Sequence, residues 1–153
     1  MPGKGALVTA LVFALAIGWF LSKDQLFPPT LPPQSEVAIA FRPCGMPGSG
    51  PCVIDGDTLA IGQRRVRLTG YDAPEMDGAC KYERAKAREA KDELHRWLAR
   101  GRFTWTGGDN PPRDRWGREL REARRGDDLL AEHMVSAGLA EEMGWGAERR
   151  EWC

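Results

Sequence analysis

Histidine is scarce in this chain: His95 and His133 are the only two in 153 residues. No Cys-x-x-Cys pair accompanies them, so a zinc centre of the usual His/Cys kind lacks ligands. Net charge is lacking too, since 22 Lys and Arg balance 22 Asp and Glu. Lys4, Lys23 and Asp24 precede residue 36, which leaves 20 basic against 21 acidic side chains after it. Bulk charge therefore excludes an ordinary basic nucleic-acid binder, and any polyanion must be met by a local basic groove. No internal repeat is present. The Gly/Pro-rich stretch from Gly45 to Pro51 is not followed by Gly-Lys-Ser/Thr, which excludes a phosphate loop.

Long apolar runs are lacking except for one, Gly5 to Ser22, which carries no charge. At about 1.5 Å per residue it spans roughly 27 Å as a helix, close to the hydrocarbon thickness of a bilayer. It reads either as an uncleaved anchor or as a signal peptide cut after Ala14-Leu15-Ala16. The run continues through Ile17, Trp19, Phe20 and Leu21, which favours the anchor. Lys4 and the terminal amine put the N-terminus inside and the rest outside. Four cysteines, Cys44, Cys52, Cys80 and Cys153, read as two disulfides in a small exported domain. Three pairings are open, with Cys44–Cys52 and Cys80–Cys153 favoured. The division expected is a signal anchor or signal peptide over 1–23, a Pro-rich linker over 24–35 and a folded domain over 36–153.

Within that domain Val37 to Phe41 suggests a first strand. Cys52 to Ile61 and Arg64 to Tyr71 read as two strands joined at a Gly62-Gln63 turn. Ala87, Ala90, Leu94, Trp97 and Leu98 recur at helical spacing between Tyr82 and Arg100, with Gly101 as the stop. Phe103 to Thr106 and Gly117 to Ala123 read as strands around a Gly/Asn/Pro loop. A second helix is expected to carry Leu130, Met134 and Ala137, capped by Asp127 or Asp128 and ended by Gly138. The order fits a small α+β domain on a partly open five-stranded barrel with two to three helices.

The densest chemistry lies in Val53-Ile54-Asp55-Gly56-Asp57-Thr58 and in Arg67 to Glu75. Asp57 and Asp72, expected on adjacent strands, with a turn carbonyl would suit a hard cation, and guanidiniums suit a phosphodiester. A calcium EF-hand is excluded, because the twelfth position from Asp55 is Val66. Alone, Asp55-Gly56-Asp57 would be a solvated turn, and Arg118 alone would be a surface strand residue. Together with Arg67 five residues before Asp72-Ala73-Pro74-Glu75, and with Asp114-Arg115-Trp116-Gly117-Arg118, the set closely resembles the staphylococcal nuclease-like (thermonuclease) family over about residues 50–142. Gly138-Leu139-Ala140 also resembles the end of that family's second helix.

The resemblance implies an oligonucleotide-binding-type (OB-fold) barrel and Ca²⁺-dependent cleavage of DNA and RNA, single-stranded or denatured, to 3′-phosphates. It implies that Asp57, Asp72 and the backbone oxygen of Ala73 bind Ca²⁺. Glu75 would be the general base, and Arg67 and Arg118 would grip the phosphate. Trp116 and Arg115 would meet the substrate, Trp116 standing where the family often has Tyr. The family has Thr at Ala73, and its later aromatic pair is replaced by Gly144-Trp145-Gly146. The expectation is thus a monomeric nuclease, held on the inner membrane by residues 5–22 or secreted, with its domain periplasmic. Its rivals are a non-catalytic OB-fold module of the cell envelope binding nucleic acid or protein, and an envelope protein whose Ca²⁺ site only stabilises the fold. Asp55 is expected to support the site rather than bind metal. His95 and His133 are expected to be structural.

Overall fold

The structure is a computed structural model that describes Trp19, residues 33–143, and Trp152 and Cys153. The chain divides into two units, Met1–Leu31 and Pro32–Cys153. Of the first, only Trp19 is described. The anchor or signal segment and most of the linker therefore lie outside the described residues. Among those described, no helix is long and apolar enough to cross a membrane.

The second unit is α+β. In chain order it contains β1 (Gln34–Val37), β2 (Arg42–Pro43), β3 (Cys52–Val53), β4 (Thr58–Ile61), β5 (Arg64–Leu68) and β6 (Tyr71–Asp72). Then come α1 (Lys81–Ala99), β7 (Phe103–Thr106), β8 (Glu119–Arg121), β9 (Ala123–Arg125), β10 (Asp128–Leu129), α2 (Leu130–Ser136) and β11 (Glu141–Glu142). One sheet runs β2-β3-β4-β5-β8, a second β1-β7-β9-β10, and β11 pairs with β6. Among the described residues these sheets are open.

The first strand departs from expectation. It begins at Gln34 and ends at Val37, whose partner is Phe103. Gly101, at φ +114°, closes the turn out of α1, so β7 offers no partner to Ala38–Phe41. The expected strand Cys52–Ile61 is instead two antiparallel strands, with Cys52 opposite Ala60 and Val53 opposite Leu59. The chain reverses at Asp55-Gly56-Asp57, where the Asp57 N–H donates to Asp55 Oδ1 at 3.1 Å. The second reversal falls at Gly62-Gln63 as predicted. Ile61 faces Arg64, and Gly62 at φ +60° stands where a two-residue hairpin turn needs glycine.

Val66 and Leu68 on β5 are buried while Arg65 and Arg67 face the other way, the two-residue period of a half-buried strand. Gly70, at φ +94°, ends that strand early. Tyr71 and Asp72 are thereby released to pair with Glu142 and Glu141. The later strand also divides. β8 pairs parallel to β5, β9 pairs with β7, and Glu122 between them carries the chain from one sheet to the other.

Helix α1 buries the apolar face that its spacing predicts: Ala87, Ala90, Leu94, Trp97 and Leu98. Trp97, Phe103 and Trp105 stack edge to face, with centroids 5.6 and 5.9 Å apart. The second helix has no side-chain cap. Asp128 instead accepts from Trp97 Nε1 at 3.0 Å and Arg100 Nη2 at 2.8 Å. Bonds to Trp97 on α1 and to Arg100 at its C-terminal cap outcompete one local cap. Cys44 is bonded to Cys52 and Cys80 to Cys153, the favoured pairing.

Candidate active site

The register of the β4–β5 hairpin places Arg67 opposite Thr58, and so beside Asp57. Arg67 Nη1 lies 2.9 Å from Asp57 Oδ2, while Nη2 is bonded to Asp72 Oδ1. One guanidinium thus spans two carboxylates, a planar fork doing what a lysine could not. Asp57 and Asp72 are not on hydrogen-bonded neighbouring strands, contrary to expectation. Asp57 sits in the turn before β4, and Asp72 sits on β6, whose partner is β11. They converge through Arg67.

Asp57 is 4 % exposed. Its Oδ1 accepts from Thr58 Oγ1 at 2.8 Å, and its Oδ2 from the Ala73 N–H at 3.3 Å. The turn is held from below, where Tyr71 Oη donates to the Gly56 carbonyl at 3.0 Å. A Cβ on Gly56 would stand 2.6 Å from Ala73 Cβ and 2.8 Å from Ala90 Cβ. Only glycine lets this turn lie against both Ala73 and helix α1.

Charge at the site is unbalanced. Burial pushes the Asp57 carboxyl up to about 7, and nearby Asp55 adds to the rise, against the pull of Arg67. Desolvation also raises Glu75, and the like charges of Asp55 and Asp72 add to it. Burial works against the charge on Arg67, yet Asp57, Asp72 and Asp55 together raise its pKa. Four carboxylates therefore share the field of one guanidinium. An all-oxygen donor set with surplus negative charge fits a hard divalent cation. Among the described residues the group of three His, Cys, Asp or Glu side chains whose ligand atoms lie within 4.8 Å of one another is Cys80, Glu83 and Cys153. Its two sulfurs are bonded to each other, which removes them as ligands.

Arg67, Asp72, Glu75, Trp116 and Arg118 line a single cleft of about 690 Å³ together with Asp114, Leu120 and Met143. Asp57 lies beneath Arg67 and the Ala73 backbone binds Asp57; neither lines the cleft. Arg118 comes from the turn before β8. Trp116, 66 % exposed, stands at the rim. The Arg115 guanidinium lies 4.0 Å from the centre of the Trp116 ring and that of Arg118 5.0 Å. Arg115 thus reaches the site through Trp116 rather than as a wall of the cleft.

Three cleft residues, Asp114, Leu120 and Met143, were not among the expected site residues. Met143 arrives because β11 docks on β6, a pairing with no local signal. Asp114 had a signal, an acidic residue four before an arginine across a Gly turn. His95 Nε2 is 3.1 Å from the Phe41 carbonyl, and His133 Nε2 is 2.7 Å from Glu93; neither lines the cleft.

No known protein-family model matches this chain, and no curated protein matches it.

Proposed function

We propose that the chain is a Ca²⁺-dependent endonuclease of the staphylococcal nuclease-like type, hydrolysing DNA and RNA to 3′-phosphate products. The observation that carries this reading is the bridge from Asp57 through Arg67 to Asp72, set in one cleft with Glu75 and Arg118. Asp57, Asp72 and the Ala73 backbone oxygen would hold the cation. When bound, Ca²⁺ supplies Lewis-acid stabilisation of the extra charge on a five-coordinate phosphorus. Arg67 and Arg118 approach the phosphate from the cleft wall, and their guanidiniums favour that charge over the ground state. Glu75, with its proton affinity raised, takes the proton from the attacking water. Trp116 offers an indole face to a base of a single strand.

The finer fold reading, a partly open OB-type barrel, is supported by the crossing of the chain from β8 to β9 between two sheets. Two disulfides support placement of the domain outside the cytoplasm, with residues 5–22 as its anchor to the inner membrane and a monomer as the working unit.

The test is digestion of denatured DNA and RNA by the detergent-solubilised full chain, with Ca²⁺ or EGTA, beside Glu75→Gln. Expected is Ca²⁺-dependent cleavage leaving 3′-phosphates, reduced at least about a hundredfold in the variant. Oligonucleotide binding indifferent to EGTA, without cleavage, would replace this reading with the non-catalytic module.

A further inference from the structure

Among the described residues the side-chain hydrogen bond of Arg118 goes to Asp114. Asp114 Oδ2 accepts from Arg118 Nε at 2.6 Å, while Oδ1 accepts the backbone N–H of Arg118 at 2.9 Å and that of Trp116 at 3.0 Å. The backbone closes the same loop: the Asp114 N–H donates to the Arg118 carbonyl and the Gly117 N–H to the Asp114 carbonyl, both at 3.0 Å. Gly117 at φ +81° permits that closure. Both partners are well shielded, with side chains 13 % and 23 % exposed. These charge-assisted bonds hold the Asp114 carboxyl below its usual range against the cost of desolvation.

The geometry matters because a guanidinium has two usable edges. Asp114 occupies Nε, at the root of the fork. Among the described residues no hydrogen bond engages the Nη1 or Nη2 atoms of Arg118, and Arg118 lines the cleft with Arg67. A long arginine side chain in water loses rotamer freedom when it is ordered. Here a residue four positions away has already met that cost. The same carboxylate orients the backbone of Trp116, so one side chain sets both the cationic and the aromatic wall.

We infer that Asp114 is the positioning residue of the site, aiming the Nη edge of Arg118 at the phosphate without touching substrate itself. This rests on the phosphodiesterase reading above. The structure separates the local hydrogen bonds from the ionic one. Asp114→Asn keeps an Oδ1 acceptor for the two backbone N–H groups and removes the charge that grips Nε.

The experiment is a double-mutant cycle in the full chain, with Asp114→Asn, Arg118→Ala and the pair, measuring kcat and KM on single-stranded DNA. Asp114→Asn is expected to lower kcat by about 10- to 100-fold, with KM and Tm little changed. In the Arg118→Ala background the same change is expected to cost less than about twofold, because Asp114 acts through Arg118. Equal losses in both backgrounds, or no loss in either, would overturn the assignment. A second readout needs no turnover. The Arg118 Nε–H resonance should be slowed in exchange in the native chain and fast in Asp114→Asn; rapid exchange in both would also overturn it. A native chain that fails to cleave but keeps the protected resonance sinks the nuclease reading while Asp114 still orients Arg118.

Discussion

Among the described residues two dense clusters of charged side chains have opposite stoichiometry. Around Glu119, 2 % exposed, three guanidiniums surround one carboxylate. Arg64 grips both its oxygens at 2.7 Å, Arg121 lies at 2.9 Å and Arg113 at 3.4 Å. Hydrogen bonding by Arg64, with Arg121 adding, holds the Glu119 carboxyl at about 2. Around Arg67 the ratio is reversed, and burial lifts Asp57 to about 7. Each lies on or beside the five-stranded sheet, yet one is saturated by its own chain and the other is not. A buried charge with all its partners is architecture. One left short of counter-charge is where an outside cation and an anionic substrate have something to gain.

The sharpest way to break that contrast is Arg67→Lys. An ammonium cannot span Asp57 and Asp72, so single-stranded DNA cleavage should fall at least about a hundredfold. The measurement is initial rate at saturating Ca²⁺, and a loss under threefold would contradict the role of the bridge. Next in size is Glu119→Gln, which should cost on the order of 2–3 kcal/mol in urea unfolding at pH 7 while leaving the turnover of folded molecules intact. Because folding depresses this pKa, its contribution is complete above the ordinary value of 4.5 and is lost as pH falls toward about 2. The variant's stability should therefore approach that of the native chain between those limits. The smallest effect on stability should come from Asp57→Asn. With EGTA present, removing a charge that burial already disfavours should leave the chain no less stable. The rise in Tm that Ca²⁺ gives the native chain should disappear. A Ca²⁺-induced rise that persists in Asp57→Asn would place the cation elsewhere.

How much of this was legible in the sequence depended on range. Helix α1 could be read residue by residue, because its periodicity is a property of its own segment. β7 and the Gly62-Gln63 reversal were equally local. The division of the expected Cys52–Ile61 strand turned on Asp55-Gly56-Asp57, whose Asx hydrogen bond competes with continued extension. That is also why Asp57 lies in a turn rather than along a strand. The start of β1, the diversion of Asp128 to Trp97 and the docking of β11 each depend on a distant partner, and nothing nearby encodes them. The Glu119 cluster was invisible for the same reason, since Arg64 lies 55 residues away. Five of the cleft residues, Arg67, Asp72, Glu75, Trp116 and Arg118, were visible through their motifs, whereas Arg67 as the bridge between two carboxylates emerged only with the register of the hairpin.

The Cys80–Cys153 bond joins positions 73 apart in sequence. It closes a covalent ring that contains Trp116 and Arg118, while Asp57, Arg67, Asp72 and Glu75 lie on the open arm that precedes it. The candidate site is thus assembled from two topologically different parts of one chain. A protease that nicks the exposed loop at Asp109 and Asn110 opens the ring but releases nothing. The piece bearing Arg118 stays tied through sulfur to the start of α1, beside Glu75. Cleaved once, the protein remains a single molecule with both halves of its site in reach of each other.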